Sequence, residues 1–219
     1  MKKEQTTCKQ CGICCTKGGA ALHTSDITLI DQGLIPHKNL FTIRKGEFAY
    51  TPVSESAKAT EREIVKLKGS GKEWTCCYYD PESRSCAIYE NRPVACATLK
   101  CWDPEDSLAL VGKDLLGRLE IVRHDKSLID LITEYEHACP LPDFKAFSEA
   151  ILKSQEEIIV NLESLINRDI QFRDKAVAKS ARILEEEMFL FGRPIFQLLQ
   201  PFGLAVMQSG NKLYLKVQK

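Results

Sequence analysis

The sequence predicts an α+β fold in which a cysteine-rich N-terminal half of short strands and helices precedes a helical C-terminal half with an amphipathic helical hairpin and a terminal β-hairpin. Three observations predict it. Nine of the ten cysteines (Cys8, Cys11, Cys14, Cys15, Cys76, Cys77, Cys86, Cys96 and Cys101) fall in the first 101 residues, leaving only Cys139 beyond. In that half, glycine, proline and polar turns cut the apolar runs short. Beyond Asp103, apolar residues recur at steps of three and four, the period of helices with one buried face. At 219 residues and 44% hydrophobic content the chain can build a core, which excludes global disorder.

Residues 1–18 are polar and Gly-punctuated, and read as a loop shaped by its ligands. Thr24-Ser25-Asp26 before Ile27, Leu29 and Ile30 predicts a short capped helix that Gly33 stops. Phe41 to Tyr50 and Ile64 to Tyr79 have β character, the second interrupted by a turn at Gly69-Ser70-Gly71, and the polar stretch Pro52 to Arg62 reads as a linker. Asp80-Pro81-Glu82-Ser83 is a turn, and Pro93 keeps any helix over 87–91 short.

In the second half, Leu128, Leu131, Ile132 and Tyr135 predict a helix over Ser127 to His137, ended by Cys139-Pro140-Leu141-Pro142. Phe147, Ile151, Ile158, Leu162 and Ile166 mark a long helix, and Val177, Ala181, Leu184, Met188 and Phe191 a second. Their stripes are expected to pack as an intramolecular hairpin rather than an oligomerising coiled coil. A short apolar helix follows Gly192-Arg193-Pro194 and ends at Pro201 to Gly203; Leu204 to Val217 then reads as a hairpin turning at Ser209-Gly210-Asn211. The expected division is a cysteine-cluster region, 1–102, and a helical region, 103–219, packed as one unit.

Thirty Lys plus Arg balance thirty Asp plus Glu, so there is no general attraction to nucleic acid or to an anionic membrane. No stretch approaches the roughly 20 apolar residues of a membrane span, and MKKEQTTCKQC has the lysines of a signal peptide without its apolar region, so a cytoplasmic protein is expected. In a reducing cytosol, grouped cysteines are more often metal ligands than disulfides. Residues 1–102 hold 15 Lys or Arg and 11 Asp or Glu, a net of +4 against −4 for the remainder; cations in the same segment would offset an anionic thiolate site.

Cys8-x-x-Cys11-Gly12-x-Cys14-Cys15 is the strongest local signal. Two cysteines separated by two residues can face one ion, and a following glycine lets the backbone approach the sulfurs. Adjacent Cys14 and Cys15 are expected to diverge, which favours a cluster or two neighbouring ions over one finger. Cys76, Cys77, Cys86, Cys96 and Cys101 supply five more sulfurs, sixty residues beyond Cys15, so a composite site closed by the fold is expected. Competing signals are weaker. Gly69-Ser70-Gly71-Lys72 echoes a phosphate loop, but Lys66 and Glu73 occupy required Gly and Ser/Thr positions. His137-Ala138-Cys139 reads as a helix end, His23, His37 and His124 lack metal-type spacing, and no nucleophile elbow or HExxH is present. Tyr89 and Ile88 read as anchors of the ligand loop, and Arg92-Pro93 as a structural turn that can also face thiolates.

These residues resemble the CxxCxxCC cysteine-cluster family, also called YkgJ-like, a zinc- or iron-chelating domain. The resemblance covers roughly residues 8–101 and rests on Cys8, Cys11, Cys14 and Cys15, on Asp26-Ile27, and on Cys86-x-Ile88-Tyr89-x-x-Arg92-Pro93-x-x-Cys96. Cys76 or Cys77 fills the family's upstream cysteine, with Cys76 in the better register; Ala97 stands where the family usually has Arg. Cys101 and Cys139 read as subgroup additions. The resemblance extends to the flagellin lysine N-methylases, to which an iron-sulfur cluster is attributed, but no Gly-rich strand-to-helix fingerprint for S-adenosylmethionine is present and methylation is not carried over. The expected ligands are Cys8, Cys11, Cys14, Cys15, Cys76, Cys86, Cys96 and Cys101, with Cys77 as an alternate. Surplus cysteines favour an iron-sulfur cluster, redox-active or serving a modification reaction, over Zn. The alternatives are a zinc-stabilised, non-catalytic module whose C-terminal helices bind a protein partner, and metal-free thiols that sense oxidation.

Overall fold

Leu40-Phe41-Thr42-Ile43 and Ile64-Val65-Lys66-Leu67 are short runs rich in β-branched and aromatic residues, and they pair as antiparallel strands β1 (Leu40–Ile43) and β4 (Ile64–Leu67), in register from Leu40 opposite Leu67 to Ile43 opposite Ile64. The computed structural model describes residues 5–51, 56–144 and 156–217. The chain leaving the cysteine loop runs along the free edge of β4: Leu67 N–H donates to Ala20 O at 2.9 Å and Leu22 N–H to Val65 O at 2.8 Å. A covered edge is one less site for stray strand pairing.

Strands β2 (Phe48–Thr51) and β3 (Ser56–Ala59) form a hairpin in register from Phe48 opposite Ala59 to Thr51 opposite Ser56. This corrects the expected linker over 52–62, part of which lies outside the described residues. Ser56–Ala59 is exposed along its length, so no apolar alternation marks it as a strand. The next ladders are two residues long: β5 (Gly69–Ser70) with β6 (Thr75–Cys76), then β7 (Tyr79–Asp80) with β8 (Ser85–Cys86). Gly69 and Ser70 are therefore in the ladder and the turn falls at 71–74, where Gly71 (φ +68°) and Trp74 (φ +55°) take the left-handed conformations that close it.

The helix Lys126–Ala138 matches its expected span; the Asp125 carboxylate caps it, accepting from Leu128 N–H at 3.2 Å. The long helix spans Glu156–Val177, and Phe147 and Ile151 lie outside the described residues. Val177 thus ends the first helix instead of opening the second, which is Ala181–Leu190 with Ser180 as its cap. The buried face of that second helix also differs from the predicted stripe. Leu184 is 57% exposed, while Glu186, Phe189 and Leu190 are buried. A carboxylate takes the inward position because His37 and Arg182 both reach Glu186, at 3.4 and 2.9 Å. A short helix, Ile195–Leu199, leads into the terminal hairpin of β9 (Leu204–Ser209) and β10 (Lys212–Val217), as expected from the sequence. Asn167 and Glu163 of the long helix pair with the backbone of Leu213 and Leu215, covering the outer edge of β10.

One hydrophobic core draws on both halves, joining Leu22, Ile35, Leu40, Val65 and Leu67 to Tyr135, Ile166, Phe189, Leu199 and Leu204. Burying each such side chain contributes about 1.5–3 kcal/mol. Buried charge joins the halves as well. Arg118, 2% exposed, binds Glu63 and Glu136 and donates to Leu190 O, and Arg44 binds Glu136 and Cys139 O. Among the described residues no helix is long and apolar enough to cross a membrane.

Candidate metal centre

The cysteine loop begins with a turn aimed at sulfur. Gln10 adopts φ +51°, which directs its N–H at Cys8 Sγ, 3.3 Å away. Gly12 follows at φ +77°, and a Cβ there would fall 2.1 Å from the Tyr79 ring, so only glycine lets the loop dock on β7. From Gly12 the chain winds into a single 3-10 turn, Cys15–Lys17, with Cys15 N–H and Thr16 N–H both donating to Gly12 O, at 2.8 and 3.0 Å. This turn brings Cys14 Sγ and Cys15 Sγ to 3.9 Å, so the expected divergence of adjacent thiols does not occur.

The later cysteines come from the two small ladders and the turn after them. Cys76 closes the β5–β6 ladder and is buried, and Cys77 Sγ beside it also lies 3.9 Å from Asn39 O. Cys86 pairs across its ladder with Tyr79, the residue on which Gly12 rests. Cys96 lies in the one-turn helix Val94–Ala97. Cys8, Cys11, Cys14 and Cys101 are exposed, and Cys101 Sγ lies 4.0 Å from the Gln5 amide nitrogen. Cys139 is buried away from this region, its carbonyl bound by Arg44.

Electrostatics ties five of these sulfurs together. Burial pushes the Cys15 thiol up to about 12, and the charge and hydrogen bond of Cys14, then the charges of Cys76 and Cys86, add to it. Burial also pushes Cys96 up to about 12, reinforced by Cys76, Cys14 and Cys86 and opposed by Arg92. Cys86 is raised, first by burial and less by the charges of Cys76 and Cys14. Cys76 moves the other way, to about 7, because Cys77 donates to it, Tyr78 N–H adds a second bond and the Lys66 ammonium stands near, together overcoming burial. The charges of Cys14, Cys76 and Cys86 thus bear on both Cys15 and Cys96, five sulfurs from four separate segments. Five thiolates repel one another unless a cation joins them.

Lys66 and Arg92 are the cations acting on this group. Burial lowers the Lys66 pKa, and the charge of Cys76 works against that. Arg92 lies over the Tyr89 ring at 4.0 Å and donates to Tyr89 O at 2.6 Å, so one guanidinium both fixes the turn and faces the sulfurs. Sequence reasoning missed Lys66, which reads as an ordinary strand residue; its place opposite Phe41 in β4 holds no signal of a nearby thiol.

The donor set fits zinc or iron: only sulfur gathers here, and soft thiolates select such ions over hard cations. Among the described residues no three His, Cys, Asp or Glu side chains already stand in an ion-holding arrangement. An open apolar groove of about 420 Å³, lined by Thr24, Ile27, Leu116, Leu119, Glu120 and Arg123, contains none of the cysteines.

Among curated proteins and among solved structures there is no match to this chain. A family model described as CxxCxxCC, "Putative zinc- or iron-chelating domain", matches residues 7–140, a span that includes every cysteine of the sulfur-rich region, the Asp26 segment and the Cys86-to-Cys96 run. With more than half of its length inside that match, the chain belongs to the CxxCxxCC family of zinc- or iron-chelating domains.

Proposed function

We propose that the protein holds an iron-sulfur cluster at a composite centre whose inner ligands are drawn from Cys14, Cys15, Cys76, Cys86 and Cys96, with Cys8, Cys11 and Cys101 as the outer group and Cys77 as the alternate to Cys76. The observation that carries this reading is that the fold gathers sulfurs from separate segments: Cys14 Sγ and Cys15 Sγ lie 3.9 Å apart, the Cys15–Lys17 turn packs on the strand that carries Cys76, and Gly12 rests on Tyr79, the ladder partner of Cys86. These thiols supply the four cysteines that an iron-sulfur cluster takes, with one to spare. When bound, such a cluster supplies one-electron redox chemistry. Around it, this chain's residues bury Cys76, offset the charge of the sulfurs through Lys66 and Arg92, and aim the Gln10 N–H at Cys8. All ten cysteines are unbridged, which suits the reducing cytoplasm.

The test is anaerobic purification followed by iron, zinc and acid-labile sulfide analysis with a visible spectrum. The expected result is brown protein with iron and sulfide in stoichiometric amounts. Colourless, zinc-filled protein would overturn the cluster and leave the second reading, a zinc-stabilised module that presents its helices to a protein partner; the 57%-exposed Leu184 and 61%-exposed Val160 on those helices favour it.

A further inference from the structure

We infer that Asp26 is a positioning residue for the metal centre, an inference that rests on the metal-binding reading above. Its carboxylate fastens the segment leaving the cysteine loop to the turn that carries Cys96. Asp26 is 3% exposed, and its carboxylate accepts from two backbone N–H groups. One oxygen, Oδ1, accepts from Val94 N–H at 2.8 Å, across 68 residues of chain; the other, Oδ2, accepts from His23 N–H at 2.9 Å.

Each contact answers a local need. Val94 is the first residue of the one-turn helix Val94–Ala97, so its N–H has no acceptor within the helix, and Pro93 before it has no N–H to share the load. A carboxylate is favoured beside such a free N–H by its charge as well as by the hydrogen bond. The other end of the clasp is firmly seated. His23 Nδ1 is 2.9 Å from Lys113 O, Thr24 N–H donates to Asp114 O at 2.8 Å, and residues 20–22 are laced to β4. Cys96 sits two residues beyond the pinned N–H, its own N–H turned back to Pro93 O at 2.9 Å. A helix of four residues cannot hold its place by its own hydrogen bonds. The Asp26 bond therefore fixes where Cys96 stands relative to Cys14 and Cys15.

The test titrates cobalt(II) anaerobically into the full-length metal-free chain, against a competing chelator, and reads the sulfur-to-cobalt charge-transfer absorption, whose intensity follows the number of bound thiolates. Asp26→Asn keeps the shape but accepts only one of the two bonds. Val94→Pro removes the donor from the other side with a residue that suits a first helical position. Both are expected to bind cobalt about tenfold more weakly. Both should also lose one thiolate's intensity, as Cys96→Ser does, while far-ultraviolet circular dichroism stays unchanged. Combining Asp26→Asn with Cys96→Ser should weaken binding no further than Cys96→Ser alone. Additive losses, or wild-type spectra in both clasp variants, would overturn the role of Asp26 and leave the centre standing. A wild-type chain that takes up no cobalt would overturn both. Collapse of the helical signal in both clasp variants would make Asp26 a residue of the fold alone, against the inference.

Discussion

Around the cysteines the ladders are two residues long and the helices a single turn, whereas the other half of the molecule has a 13-residue and a 22-residue helix set on the core. The two regions solve the entropy problem differently. The helical side spreads the cost of ordering over buried side chains and over ion pairs in which Arg118, Arg44 and Arg173, the last bound to Asp169 and Glu187, are all nearly inaccessible. The sulfur-rich side buries few large residues; of its cysteines only Cys76 is fully buried. A bound ion or cluster would cross-link that side as the core cross-links the other. The strand pair β1–β4 belongs with the helices, since Leu40, Val65 and Leu67 lie in the common core.

The comparison breaks most visibly on metal removal. Chelation under reducing conditions should raise amide exchange by about tenfold or more over residues 5–19 and 69–101 and leave 40–43, 64–67 and 126–138 protected; hydrogen-exchange mass spectrometry reads this. Equal loosening of both regions would remove the distinction. On the helical side, Arg118→Ala leaves Glu63 without its cation and Glu136 with Arg44 alone, and should cost about 1–3 kcal/mol in urea unfolding. The metal content of the chain that remains folded should not change.

A pH titration sharpens the same contrast. Burial works to raise the Glu136 carboxyl, but the hydrogen bond from Arg44 and the charge of Arg118 overcome it and leave the pKa below its ordinary 4.5. The folded value is thus lower than the unfolded one. The stability from this pair is complete above the unfolded value and is lost as pH falls through the folded value. Melting temperature should fall more steeply below about pH 4.5 in wild type than in Glu136→Gln. Smallest is the cap at the second helix: Ser180→Ala removes the acceptor for Arg182 N–H and should cost about 1 kcal/mol, with no change in bound metal.

What the sequence reveals follows the same boundary. The helix Lys126–Ala138 and the terminal hairpin were legible because apolar period and turn residues agree there. The strand Ser56–Ala59 was not, because both its faces are in water. Nor was the inward face of Ala181–Leu190, where Glu186 points in to meet His37 and Arg182. At the candidate centre the sulfurs themselves are plain in the sequence. Their supports are hidden: Lys66 reads as one more strand lysine, and the reach of Asp26 to Val94 depends on tertiary structure that no local pattern encodes.

X-ray absorption at the metal edge, on anaerobically purified wild type beside Cys76→Ser and Cys86→Ser, tests the composite centre most directly. The account predicts a shell of sulfur alone, at about 2.3 Å, that loses a sulfur in each variant although the two residues come from different ladders. A shell of nitrogen and oxygen, or spectra that neither substitution alters, would contradict it.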